Sequence, residues 1–382
     1  MRNLVSDAGP ALNRARVLLA LLFLFLFMPE ADARVRHLLY VAVPGIQNHY
    51  PDNNYNLRYG GIGILVFDMD HGYKFVKRIP TWKLEPGQKV EIVKGIAADA
   101  ARGRLYLTTP TLLAAFDLNT DRMIWQKNYT GGFDRLAISP DGNTLYVPSF
   151  EGAYWQIISA SNGELLGKLD TGTGSHNTVW SPDGARVYLA GLHHNYLLVA
   201  DPTTNKIVQR IGPFSDVIRP FTVNGSNSLC FVNVNKLLGF EIGDVQTGRV
   251  LHSVAVQGYA SGQALRHACP SHGIALTPDE KELWLADGVN NYVHVFDTTV
   301  MPPRQIADVK LTDSPGWVTF DIGARYVFPS TGDVIDRQTR KIVYTLRDET
   351  GAQVQSEKLL EIDVENGKTV RAGNQFGIGE KR

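Results

Sequence analysis

Six positions along this 382-residue chain carry most of its chemical potential, and they recur at one place in a repeated unit. Lys94, Asp134, His176, Arg219, His272 and Gly316 each stand just ahead of the apolar core of a short strand, with Arg135 and Asn177 beside two of them. All but Gly316 are polar and titratable. A ring of cations, a carboxylate and imidazoles at one level suits an anionic or polar ligand, so Lys94, Asp134, Arg135, His176, Asn177, Arg219 and His272 are the candidate ligand-binding residues. The same set would serve hydrolysis. His176 or His272 would then act as general base, and Arg219 or Lys94 would hold an oxyanion or carboxylate. A plainer reading also stands: solvated groups that keep a channel mouth from being an apolar hole.

Two further clusters join these candidates. Gly191-Leu192-His193-His194-Asn195 lies in the loop that follows the strand hairpin carrying His176, and His193 and His194 are added to the ligand-binding set. Neighbouring residues of an extended segment point to opposite sides, so one of this pair is expected to face the site. His267-Ala268-Cys269-Pro270-Ser271-His272 ends a connection, Gln257 to Cys269, that is longer than its equivalents. Imidazole with thiolate suits copper or zinc, which makes His267, Cys269 and His272 the candidate metal ligands. A low-pKa thiol beside histidines would instead be a nucleophile. The spacing matches no recognised metal motif and there is no Cys-x-x-Cys-His, so no motif demands a cofactor; a divalent metal remains open.

The elements that position these residues are strands. LAISPDGNTLYVPS from Leu136, TVWSPDGARVYLAG from Thr178 and IALTPDEKELWLAD from Ile274 each read as strand, tight turn, strand. Looser copies begin at Ile96, Phe221 and Val318. A strand-rich period of about 40–45 residues with Gly/Asp turns is the signature of a β-propeller, one four-stranded sheet per repeat. Residues 37–88 supply only three strands, RHLLYVAV, GILVFDM and YKFVKRI, while the tail (about 350–382) holds a spare segment, KLLEIDV. That segment is expected to complete the first blade, closing a ring of seven blades, with six or eight as the alternatives, and leaving no free sheet edge.

The strands YVPS, VYLAG and LWLAD, each following Ser/Thr-Pro-Asp, resemble the YVTN-type β-propeller repeats of exported bacterial proteins. These are similar in fold to quinoprotein amine dehydrogenase heavy chains and bacterial lactonase propellers. The resemblance runs from about Val35 to Gly377 and implies fold; no catalytic motif of those relatives is matched residue by residue, and propellers host unrelated activities.

Balanced charge, 38 basic against 38 acidic side chains, predicts no nucleic-acid footprint. Arg14 and Arg16, the apolar run Val17–Met28 and Ala31-Asp32-Ala33 read as a signal peptide cleaved after residue 33. The mature chain, 34–382, is then a single propeller, periplasmic or extracellular and not inserted in a membrane; an uncleaved anchor is the alternative. Cys230 and Cys269 form no disulfide framework, though export permits their pairing. Trp155, Trp180, Trp284 and Trp317 are expected to pack between blades, Glu151 and Asn235 to rim the mouth, and Tyr50–Tyr59 to form a lid or a polar loop. Three functions follow: a module binding a small polar ligand or a protein partner, a lactonase-like hydrolase, or a metal or redox protein.

Overall fold

The Ser/Thr-Pro-Asp-Gly turns show how the sequence writes each blade. The Ser181 hydroxyl donates to Asp183 (2.6 Å), whose carboxylate accepts the Ala185 amide (3.0 Å), and Gly184 takes φ 71°. Thr277 and Asp279 repeat the contact at 2.6 Å, with Glu280 at φ 53° in place of the glycine. Strands on either side of such a turn meet in register, as in Thr178↔Leu189 and Val179↔Tyr188.

The computed structural model describes residues 35–46, 57–82 and 89–381. Seven sheets follow one another around a ring, all antiparallel. Blade 2 runs from Gly95–Asp99 to Arg122–Lys127, blade 3 from Ala137–Ile138 to Leu165–Asp170, and blade 4 from Ser175–Trp180 to Lys206–Ile211. Blade 5 spans Ile218–Val223 to Val250–Ala255, blade 6 Ser271–Leu276 to Arg304–Lys310, and blade 7 Val318–Phe320 to Lys341–Thr345. Middle strands are buried on both faces because blades stack on each other, so they read as continuous apolar runs such as Val187–Gly191. Outermost strands have one wet face, and Lys206–Ile211 alternates accordingly. The expected signal peptide and most of the Tyr50–Tyr59 excursion lie outside the described residues. Among the described residues no helix is long and apolar enough to cross a membrane.

Blade 1 is composite, as the sequence implies. Leu359–Glu365 pairs antiparallel with Arg36–Val43, placing the C-terminal segment as the blade's missing strand beside the N-terminal one. A further strand, Lys368–Ala372, adds to its channel side. The chain beyond was not foreseen: it enters the channel. Gln375 accepts from the Ile96 amide of blade 2 (3.3 Å), donates to the Leu136 carbonyl of blade 3 (2.9 Å), and its own carbonyl accepts from Trp317 Nε1 of blade 7 (2.7 Å). Gly377 forms a parallel bridge with Ala275 of blade 6, where a Cβ would stand 2.4 Å from the Ala275 methyl, so only glycine fits. The Gly379 amide donates to Val223 of blade 5 and the Glu380 amide to Pro278. The tail thus ties five blades from inside the ring.

Candidate functional site

At the mouth opposite the Pro-Asp-Gly turns the structure brings Asp134, His176 and His272 of the aligned positions close together. Asp134, buried ahead of blade 3's inner strand, bonds His176 Nδ1 of blade 4 at 2.7 Å. A carboxylate accepts only, so Nδ1 carries the proton and His176 Nε2 keeps its lone pair. Arg135 reaches across the channel. It donates to Asn177 Oδ1 (3.2 Å) and to Glu357 Oε2 (2.7 Å), and its guanidinium lies 3.9 Å over the Trp317 ring. Trp317, expected as inter-blade packing, is therefore the floor of the mouth, held from below by Gln375.

Glu357 is the hub. Its other oxygen bonds His267 Nε2 (2.5 Å), and Lys358 Nζ stands 2.8 Å from Oε2. Glu357, Arg135 and Lys358 are almost fully buried. His267 descends from the long connection and stacks flat on His272, centroids 3.8 Å apart and planes at 8°, while His272 Nδ1 donates to the Gly316 carbonyl (2.8 Å). Gly316 is the ring position without a side chain, for a reason: a Cβ there would lie 2.2 Å from His267 Nε2 and 2.3 Å from Glu357 Oε1.

Electrostatics follow from burial. Desolvation pushes the His176 and His267 pKa values down, and His272 well down, leaving neutral imidazoles near pH 7. Burial alone would raise Asp134 and Glu357, but the surrounding cations and imidazoles hold both below the ordinary carboxylate range. Lys358 is pushed down to about 7 by burial, aided by Arg135 and opposed by Glu357. The unfolded chain keeps that proton to a pH near the ordinary lysine value, so between pH 7 and 10 it binds more protons than the native state and the Lys358 contribution to stability grows with pH. The Tm difference, wild type minus Lys358→Met, is accordingly expected to increase between pH 7.5 and 9. Thermal melts at the two pH values check this; a constant gap refutes it.

Several expectations need correction. His193 and His194 are exposed on the rim and outside this network; the three imidazoles brought together are His176, His267 and His272, with His176 and His272 centroids 6.3 Å apart. Arg219 is half-buried and donates to Asn235 Oδ1 (2.7 Å). Lys94 lies over the Phe150 ring at 4.8 Å. Cys230 and Cys269 are both free and buried, and burial pushes the Cys269 thiol up to about 11, the opposite of a nucleophile. The metal triad is altered as well: His267, His272 and Glu357 bring one ligand atom each within 4.8 Å of one another, without Cys269. Even these do not fit an ion, because an imidazole binds metal in its own plane and two rings stacked 3.8 Å apart have no in-plane point in common. Arg135 and Lys358, both on Glu357, add repulsion.

Glu357 and Lys358 escaped the repeat alignment. Extending the ring-position alignment to KLLEIDV, already read as completing the first blade, would have found them, since Lys358 directly precedes its strand as Lys94 does. A cavity of about 700 Å³ lies at the opposite mouth, between the tail and the Pro-Asp-Gly turns, lined by Ser139, Trp180, Thr319 and Phe376.

Ring and site together define a seven-bladed β-propeller with a charged, tail-plugged channel. No protein-family model matches the sequence, and no curated protein matches it. Among solved structures, Kuenenia stuttgartiensis hydrazine synthase is similar at 12% identity and TM-score 0.44, over 68% of this chain and 98% of that one. At that level the likeness says nothing of activity.

Proposed function

We propose that this chain is an exported propeller of the YVTN type that binds a small oxygen-rich anion, such as a hydroxy acid, at the channel mouth. One observation carries the reading. Arg135 Nε, Asn177 Nδ2 and His176 Nε2, on neighbouring residues, are buried and have no hydrogen-bond partner. Leaving such groups unsatisfied costs about 1–3 kcal/mol each. The first two are donors that a carboxylate would satisfy, and the imidazole lone pair would accept from a hydroxyl. Lys94, Arg135, Arg219 and the partly protonated Lys358 outnumber Asp134 and Glu357, so the field also favours an anion. Export rests on the N-terminal signal pattern, and the family assignment on the repeat strands.

Calorimetry with gluconate, malate and succinate tests this. Binding is expected for the hydroxy acids, and His176→Ala is expected to weaken it about 10- to 100-fold, with a lower Tm because the buried Asp134 carboxylate loses its hydrogen-bond partner. If none of the three binds, the anion site is wrong and a protein partner takes precedence.

The Asp134–His176 pair favours a second reading, hydrolysis of a lactone with His176 as general base. Turnover would then rise with pH through a value below the ordinary histidine range, and His176→Gln would abolish it without loss of fold. Binding without turnover of gluconolactone discards the enzyme and keeps the binder.

A further inference from the structure

Far from the mouth, the seam inside blade 1 where the N-terminal and C-terminal strands pair carries a second buried polar cluster, on the face turned toward blade 7. His37 of Arg36–Val43 stands directly opposite Asp363 of Leu359–Glu365, and Glu361 lies two residues along the same face. One ligand atom from each of His37, Glu361 and Asp363 falls within 4.8 Å of the others. Glu361 and Asp363 are 3% and 1% exposed, and neither oxygen of Asp363 has a hydrogen-bond partner. The nearest cation, Arg371 Nη1, stops 3.6 Å from Asp363 Oδ2 and is mostly exposed. A buried carboxylate with no donor is too costly to persist unpaired. Facing the same seam, the Tyr73 hydroxyl is also buried and unpartnered, close enough to feel the charges of Glu361 and Asp321. Glu361 Oε2 accepts only the Ile322 amide.

We infer that His37, Glu361 and Asp363 form a binding site for a divalent transition-metal cation that clips the N-terminal strand to the C-terminal strand. One imidazole with two carboxylates is a donor set suited to zinc or manganese, whereas calcium takes oxygen ligands. The second shell is in place. Asp70 Oδ1 bonds His37 Nδ1 at 2.8 Å and Asp70 Oδ2 accepts the His37 amide at 3.0 Å, which fixes the ring and leaves Nε2 as the ligand atom. Unlike the stacked histidines at the mouth, this site has a single imidazole, so its ring plane is free to contain the ion. The seam is where such a clip has most effect, because all other blades are covalently continuous and only blade 1 joins the two ends of the chain. Opening Arg36–Val43 from Leu359–Glu365 opens the ring.

The test uses the purified protein without a polyhistidine tag, stripped with EDTA and titrated with ZnCl₂. Saturating zinc is expected to raise Tm by about 4 °C at one hundred times its Kd, with one zinc retained per chain after gel filtration. His37→Ala, a half-exposed position that leaves both strands intact, and Asp363→Asn should each abolish the shift and the retained metal. Replacing His193 and His194 by alanine should change neither. A shift that survives His37→Ala but disappears in the His193/His194 variant places the zinc on the rim and overturns the proposal. So does a response to CaCl₂ alone. A third outcome does the same: no zinc response, with Tm rising as pH falls from 8 to 6. The two carboxylates would then share a proton, consistent with burial and the Asp363 charge pushing Glu361 up to about 8.

Discussion

Replacing Glu357 by alanine is expected to destabilise the protein by about 3–5 kcal/mol, the cost of stranding buried charge. Three groups lose their partner at once: Arg135 at 2.7 Å, His267 at 2.5 Å and Lys358 at 2.8 Å. Their responses differ. His267 is already neutral near pH 7, and Lys358, pushed down to about 7, can release its proton and escape most of the penalty. Arg135 cannot lose its charge, and it lies against the Trp317 face with no other carboxylate bonded to it. The loss is therefore dominated by one guanidinium. Glu357→Gln, which keeps two acceptors' worth of shape and one carbonyl oxygen, should cost less than alanine. Urea denaturation of the three proteins measures both differences, and a Glu357→Ala cost below about 1 kcal/mol would show that water reaches Arg135 and that the network is not truly buried. If Arg135→Met is added to Glu357→Ala, the double variant should recover part of the stability, because the orphan charge is gone.

Truncation before Leu359 is expected to have the larger effect still: no cooperative unfolding transition, and accumulation as aggregate. The deleted strand supplies the six register pairs from Arg36↔Val364 to Val41↔Leu359 that close the ring. It also buries Leu359, Leu360 and Ile362 almost completely, worth about 5–9 kcal/mol together. That alone is comparable with the whole stability of a domain, about 5–15 kcal/mol. Without it, Arg36–Val43 becomes an exposed apolar edge, open to pairing with another chain. Truncation after Ala372 makes the contrast. It leaves the ring closed and removes only the channel plug, with its hydrogen bonds to Ile96, Leu136, Trp317, Val223 and Pro278. A folded protein of lower Tm is expected there. Circular dichroism melts and size-exclusion profiles separate the two truncations, and a normal melt for the first would mean that the ring closes without its C-terminal strand.

The limits of the sequence reading have the same origin as these effects. Turn chemistry and strand patterning are local, so the blades and the ring position occupied by Lys94, Asp134, His176, Arg219 and His272 could be read from repeats of one unit, while the count of seven is fixed by the sheets themselves. The composite blade was legible too, because a missing inner strand at one end and a spare apolar segment at the other are complementary. What a side chain touches across the channel is not local. Arg135 could not be paired with Glu357, 222 positions away, without the ring that brings blade 3 and the end of blade 7 to one level. Cys269 sits between His267 and His272 in sequence and suggests one site, yet the connection turns so that the imidazoles stack on each other while Ala268 adopts φ 54° and the thiol is buried. His37, Glu361 and Asp363 carried no signal at all, since they lie at opposite ends of the chain and meet only across the seam. By itself the sequence determined the propeller, its closure and the level of the mouth, because those depend on periodicity and on pairing unsatisfied strand edges. The tertiary structure alone decided which charges are buried together, which histidines meet, and that the last residues of the chain fill the channel, because those depend on distances between segments that no repeat encodes.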